Sequence, residues 1–277
     1  MVILVTGCRS GFGKLIAVQA ARKGHIVYAG LRDITTSAEL ETSAAGLELH
    51  ILQLDVTKAE ERNAAISRII EEQGELNGLV NNAGVALGGF LEQIEEDELR
   101  QVFEVNVFGL WALTCAALPH MRQAGSGKIV NLSSASGFMA FPALGAYASS
   151  KFALEGMSES WRHELALFGI DVYLVQPSAY ATDIWNRNRK VCRNAHAEGD
   201  YRPWVDKVDA AFRQLVENSM QPPEEVAVHV VKLLTEGRKR LRHPMGPGTL
   251  KRRILKNLLP FSVVEYAIRR ALMRALP

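Results

Sequence analysis

Short runs of aliphatic and β-branched residues recur along the chain, each followed by a segment whose apolar residues return every three or four positions. Val2 to Thr6 is the first run, closed by glycines, and Gly11 to Lys23 follows with Phe12, Leu15, Ile16 and Ala20 at helical spacing. Further strands are predicted over His25 to Leu31, Leu47 to Leu54, Gly78 to Val80, Lys128 to Leu132 and Asp171 to Val175, with a short one near Leu241. Helical spacing predicts a polar, Ala-rich helix to about Ala45 and helices over Lys58 to Gln73, Glu95 to Ala124, Ala146 to Phe168 and Pro223 to Gly237.

Most of these strands are apolar on successive residues, as in a parallel sheet buried on both faces. Strands alternating with helices then predict an α/β fold, a single doubly wound parallel-sheet domain of the Rossmann type over residues 1–248. Residues 178 to about 221 interrupt the rhythm. Their aromatics Tyr180, Trp185, Tyr201 and Trp204 suggest a helical lid over an apolar ligand. Beyond Gly248, Leu250, Ile254, Leu255 and Leu258 form one stripe and Val264, Ala267, Ile268, Ala271 and Leu272 another. Residues 249–277 are therefore predicted to be two amphipathic helices broken at Pro260.

Composition adds little for the body and much for the tail. With 48% hydrophobic and 22% charged residues the chain is ordinary for a globular protein, and no run of some eighteen apolar residues suggests a membrane span. The net charge of +2 conceals eleven Lys or Arg against one acid, Glu265, between Arg238 and Pro277. That basic, amphipathic extension fits three placements: an anionic membrane surface, the substrate mouth, or a partner subunit. Nucleic acid is not expected. Cys8, Cys115 and Cys192 are scattered singly, which suggests a reducing, cytoplasmic setting with neither disulfide nor metal site.

The first strand-to-helix turn reads TGCRSGFG, with Gly7, Gly11 and Gly13. Glycines let a backbone turn tightly and approach a pyrophosphate whose charge faces a helix N-terminus. The end of the second strand offers Leu31 and Arg32 where an acid would bind a ribose hydroxyl. Arg32, with Arg9 from the turn, favours the 2′-phosphate of NADP(H), while Asp33 keeps an NAD reading open. Farther on, Tyr147 and Lys151 lie four residues apart in a predicted helix and so share one face. A cation beside a phenol favours phenolate, drawing its pKa from about 10 toward the range of a proton-transfer group.

These residues resemble the short-chain dehydrogenases/reductases, in the compact branch with TGxxxGxG and YxxxK motifs. Thr6 to Gly13, Asn81 to Gly84 (NNAG), Asn106, Ser134 and Tyr147 to Lys151 appear in that family's order, and the resemblance runs from the start to about Thr182. It implies that Tyr147 is the general acid or base, that Lys151 binds nicotinamide ribose and lowers the tyrosine pKa, and that Ser134, rather than Ser133, holds the substrate oxygen. Asn106 would hold a water of a proton relay or serve as a structural helix residue. The cofactor would meet Gly7, Arg9, Ser10, Gly11, Phe12, Gly13, Arg32, Asp55, Val56, Asn82, Ala83, Gly84, Tyr147, Lys151, Pro177 and Thr182. The Asn81 motif is equally explained as a brace of the central sheet. The family commonly has Pro-Gly where this chain has Pro177-Ser178, a change that reshapes the nicotinamide end.

The implied reaction is hydride transfer between NADP(H) and an apolar ketone, aldehyde or alcohol. Phe138, Met139, Phe141, Tyr180 and Trp185 are the candidate substrate walls, with Pro142, Leu144, Val85, Leu87, Phe90 and Trp204 near them. The LRD after the second strand and the basic extension are similar to the branch holding 17-beta-hydroxysteroid and retinol dehydrogenases. A steroid- or retinoid-like substrate and a homodimer or homotetramer are what that resemblance implies. Two other classes remain in view: a catalytically silent NADP-binding sensor, and a membrane-associated scaffold acting through its tail.

Overall fold

The computed structural model describes residues 1–180, 182, 190–219 and 221–275. In chain order its elements are β1 (Val2–Thr6), α1 (Gly11–Arg22), β2 (Ile26–Leu31), α2 (Ala38–Ser43), β3 (Leu49–Gln53), α3 (Ala59–Gln73), β4 (Gly78–Asn81) and β5 (Leu87–Gly88). Next come α4 (Glu96–Phe103), α5 (Leu110–Ala124), β6 (Gly127–Leu132), α6 (Gly145–Glu164), β7 (Ile170–Pro177), β8 (Lys190–Val191), α7 (Arg202–Ser219) and α8 (Glu224–Glu236). The chain closes with β9 (Arg242–Met245), α9 (Thr249–Leu258) and α10 (Phe261–Ala275).

Seven strands form one parallel sheet in the order β3-β2-β1-β4-β6-β7-β9. The order reverses between β1 and β4, and there the C-terminal strand ends part into a crevice. Within β1, Ile3 and Val5 enter the core beneath α1 and α8, whereas Val2 and Leu4 enter the core beneath α3, α5 and α6. Both faces exclude water, which explains why the strand reads as an unbroken apolar run. The doubly wound reading is therefore correct.

Two features departed from the sequence pattern. Leu87–Gly88 pairs in parallel with Lys190–Val191 as a separate two-stranded sheet, too short to show any periodicity. The predicted Glu95–Ala124 helix widens to π geometry over Glu104–Gly109, a form often found at functional sites. Over Glu96–Ala124 the helix is long and apolar enough to cross a membrane, yet half of its most apolar window is buried inside the protein. That burial makes it a core helix.

Beyond the break, α7 supplies the helix of the 178–221 segment, and Tyr201 stacks on Phe90 with ring centroids 4.6 Å apart. The extension forms the two expected helices but with unexpected polarity. On α9 the stripe Leu250, Ile254, Leu255 and Leu258 faces solvent, while Arg252, Arg253 and Lys256 are half-buried against the body.

A polar brace ties the middle of the sheet to its helices. Asn81 on β4 donates to Asn131 on β6 (2.8 Å) and to Thr114 on α5 (3.0 Å), and Asn131 donates to Ser158 on α6 (2.8 Å). All four side chains are buried. Buried polar groups weaken a fold sharply when one partner is removed, because the others lose their bonds without regaining water. Asn131→Ala is expected to cost roughly 2–4 kcal/mol in urea unfolding, and a loss below ~1 kcal/mol would show that the brace is not structural.

Candidate active site

The crevice holds a cavity of about 450 Å³ that runs from the glycine turn to the start of α6. Its near end is built by backbone geometry. Gly7 has φ +69°, and a Cβ there would lie 2.9 Å from the Ala83 backbone; a Cβ at Gly13 would collide with the Gly7 carbonyl and the Asn82 amide. Glycine at both positions lets α1 start close against the turn, its N-terminus facing the cavity. Asn82 holds the turn by donating to the Thr6 and Gly7 carbonyls at 2.8 and 3.1 Å. The Thr6 hydroxyl accepts from the backbone of Asn82 and Ala83 at 3.0 and 2.9 Å. NNAG thus serves both readings: Asn81 braces the sheet, and Asn82 to Gly84 line the cavity.

Every residue expected to meet the cofactor lines this cavity except Gly13, which lies behind the turn. Arg9 and Arg32 reach it from two elements, and both act electrostatically on Asp33. Neither guanidinium makes a hydrogen bond or ion pair among the described residues. The Asp33 carboxylate is engaged by its own turn, accepting from the Thr35 hydroxyl (2.6 Å) and amide (3.0 Å). Those bonds, the hydroxyl's first, hold its pKa below the usual carboxylate value. Leu31, Leu54 and Val56 give an apolar slot beside Asp55. The whole arrangement fits the adenine end of a nicotinamide dinucleotide.

At the far end Ser134, Tyr147 and Lys151 converge. The β6 strand delivers Ser134, and the first two turns of α6 present Tyr147 and Lys151 on one face. All three are buried, at 7%, 4% and 4% exposure. Ser134 and Tyr147 share a side-chain hydrogen bond. Lys151 Nζ donates to the Leu132 carbonyl at 2.7 Å and lies 5.7 Å from the Tyr147 ring centre. Ser133 also lines the cavity, but its hydroxyl is turned toward Gly137 and Glu155.

The electrostatics reverse one expectation. Burial pushes the Tyr147 phenol up to about 12, against a smaller downward pull from Ser134. Burial likewise pushes Lys151 down to about 8, with Glu155 opposing it. Desolvation thus dominates at Tyr147, although the Lys151 ammonium lies 5.7 Å from its ring centre.

Asn106 sits in the π segment, fully buried and outside the cavity lining. Its amide donates to the Val85 carbonyl (2.9 Å) and to the Ser150 hydroxyl (3.0 Å), and its oxygen accepts from the Val85 amide (2.8 Å). Those bonds fix the chain next to Gly84 and the α6 turn between Tyr147 and Lys151.

The expected substrate walls fare unevenly. Phe138, Met139 and Phe141 are half-buried in the loop between Ser134 and Tyr147, outside the cavity lining. Tyr180 is a correction: it is fully buried, edge-on to Phe12 at 5.5 Å, with its hydroxyl donating to Glu225. An aromatic ring with a carboxylate partner on α8 packs under α1 instead of facing a ligand. Trp185 lies outside the described residues. Sequence reasoning passed over the lining residues Thr36, Val105 and Lys190, which belong to no motif. Ser178 lines the cavity and donates its backbone N–H to Met245 (3.1 Å), joining the β7 end to β9.

A lysine held at about 8 instead of 10.5 binds fewer protons folded than unfolded between those values. Its desolvation cost, roughly 3 kcal/mol, is therefore fully present below pH 8 and fades as the pH rises to 10.5. Lys151→Met is expected to raise stability toward urea at pH 7 and to lose that advantage near pH 10.5. Equal or lower stability of the variant at pH 7 would contradict the buried-ammonium assignment.

Comparison with known proteins agrees with this geometry. Residues 1–192 match the family described as short chain dehydrogenase. The chain is 34% identical to 3-ketodihydrosphingosine reductase of Bacteroides thetaiotaomicron, covering 97% of this chain and 96% of that one. It is 32% identical to NADPH-dependent 3-dehydrocapnine reductase of Ornithobacterium rhinotracheale, over 95% and 94%. Human 17-beta-hydroxysteroid dehydrogenase type 1 is 34% identical over 87% and 76%. The fold superimposes on a Burkholderia phymatum short-chain dehydrogenase/reductase in complex with NAD, with TM-score 0.80, 27% identity and 92% of each chain covered. With its sheet order, glycine turn and Ser134–Tyr147–Lys151 cluster, the chain belongs to the short-chain dehydrogenases/reductases, oxidoreductases acting on CH–OH and C=O groups.

Proposed function

We propose that the protein is an NADP(H)-dependent oxidoreductase that interconverts an apolar, lipid-like ketone or aldehyde and its alcohol. The observation that carries this reading is one cleft with two arginines at one end, unpaired among the described residues, and a phenol, a serine hydroxyl and a buried ammonium at the other. When bound, NADP(H) supplies or accepts the hydride at its nicotinamide ring. Arg9 and Arg32 would hold its added phosphate, the α1 N-terminus its pyrophosphate, and Lys151 and Thr182 its nicotinamide end. Arg32 stands at the end of β2, where an acid would suit NAD.

In the reducing direction the substrate oxygen accepts from Tyr147 and Ser134. As negative charge develops on that oxygen, Tyr147 donates its proton, and Ser134 and Lys151 stabilise the phenolate that remains. A phenol near 12 is fully protonated at neutral pH, the form that reduction needs. Oxidation needs the phenolate and would require the occupied site to lower that value. Asn106 acts by fixing the chain around Gly84 and Ser150.

Two relatives are named as reductases of 3-ketodihydrosphingosine and 3-dehydrocapnine, the second NADPH-dependent. Those names, with the apolar Phe138–Phe141 loop, support a lipid-like carbonyl substrate. Exposed Phe108, Trp111 and Phe152 on the outer faces around α5 and α6 support a homodimer or homotetramer. The outward apolar stripe of α9, within a basic segment, supports peripheral membrane contact through 249–277 from the cytoplasmic side.

Tyr147→Phe is expected to abolish turnover of an apolar ketone while leaving NADPH affinity within about twofold, measured by fluorescence titration. Full activity of the variant would overturn the assigned role, and a wild type that binds NADPH without turning over any ketone would favour the sensor reading. Arg32→Ala is expected to weaken NADPH binding roughly tenfold to a hundredfold and NADH binding little. Equal losses for both would remove the 2′-phosphate assignment.

A further inference from the structure

By hydrophobicity alone α9 should turn Leu250, Ile254, Leu255 and Leu258 toward the body. It does the reverse: these are 56%, 46%, 41% and 75% exposed, while Arg252, Arg253 and Lys256 are half-buried against the body. Specific polar contacts must therefore hold it, and they lead to the back of the active site.

Arg253 Nη1 donates to Gln176 Oε1 at 2.7 Å. Gln176 is fully buried on β7, immediately before Pro177 of the cavity lining. Its amide donates to Glu155 Oε1 at 2.9 Å. Glu155, 6% exposed, lies one helical turn beyond Lys151 on the same face of α6, and its other oxygen accepts from Arg242 Nε at 2.9 Å. Arg242 in turn pairs with Glu159. Glu155 also underlies the turn that follows Ser134, since a Cβ at Gly137 would lie 3.1 Å from Glu155 Cγ. A second anchor is Lys256, whose ammonium donates to the Phe138 carbonyl in that loop and lies 4.9 Å from the Phe152 ring centre.

We propose that α9 is a positioning element of the catalytic site: Arg253 acts through Gln176 and Glu155, and Lys256 through the Phe138 carbonyl, to fix the Ser134 loop against Tyr147 and Lys151. The inference rests on the Ser134–Tyr147–Lys151 reading of the site. The network is charge-balanced, with Arg242 and Arg253 against Glu155 and Glu159. Removing one member leaves buried partners unsatisfied, and the remaining groups shift to regain bonds. Gln176 and Glu155 are the groups that would shift, one beside Pro177 and the other beneath the Ser134 turn. Small displacements of reacting groups cost rate far more than binding. Arg253 itself lies outside the cofactor cavity lining, so the loss should fall on kcat.

The test compares full-length Arg253→Met, Arg253→Lys and Asn257→Ala, the last an exposed position on the same helix. For NADPH-driven reduction of an apolar ketone, Arg253→Met is expected to lower kcat about tenfold or more with NADPH Kd within about twofold. Arg253→Lys, still able to donate to Gln176, should recover most of that loss, and Asn257→Ala should match wild type. Hydrogen exchange over residues 134–147 is expected to rise in Arg253→Met and not in Asn257→Ala. Unchanged kcat in Arg253→Met, or unchanged exchange in that segment, would overturn the proposal. A wild type without ketone turnover would defeat the enzymatic reading, while the exchange result would still decide whether α9 holds the loop.

Discussion

The Lys151 ammonium is taken out of water beneath the C-terminal edge of the sheet, and much of the surrounding architecture answers that single constraint. It donates to the Leu132 carbonyl at 2.7 Å, so the end of β6 must lie against the second turn of α6. Its helix must also place Tyr147 one turn before it and Glu155 one turn after. The parallel sheet provides the setting, because its order reverses between β1 and β4 and opens a crevice along the same edge. A glycine turn at one end of that crevice and a buried cation at the other are separate consequences of one topology.

The same constraint explains a conflict between stability and use. Burial drives Lys151 toward its neutral form and Tyr147 toward its protonated form, so desolvation in the cleft favours neither charge. Glu155 resists the first effect, and it is itself held by Gln176 and Arg242. The polar network behind the site is therefore an electrostatic support as well as a mechanical one. The basic extension joins that network through Arg253, which gives its inward cations a physical reason.

Much of this was legible in the sequence where a local rule governs. Strands buried on both faces read as apolar runs, and a spacing of four placed Tyr147 and Lys151 together before any fold was known. The tight packing of the first turn was legible in its glycines because a backbone, not a side chain, has to fit there. Legibility failed where a distant partner decides. Tyr180 looked like a ligand wall until Glu225 and Phe12 claimed it. The α9 stripe was readable, but its direction depends on Gln176 and Phe138, far away in the chain. The tyrosine pKa misled because proximity of a cation is visible in a motif and desolvation is not.

The central claim is that this cleft transfers hydride to a carbonyl carbon. The direct measurement uses NADPH stereospecifically deuterated at C4, each face in turn, with an apolar ketone, and determines deuterium in the alcohol product by mass spectrometry. The account predicts one deuterium on the carbinol carbon from one face only. Alcohol free of deuterium from both labelled cofactors, or oxidation of NADPH without alcohol, would contradict it.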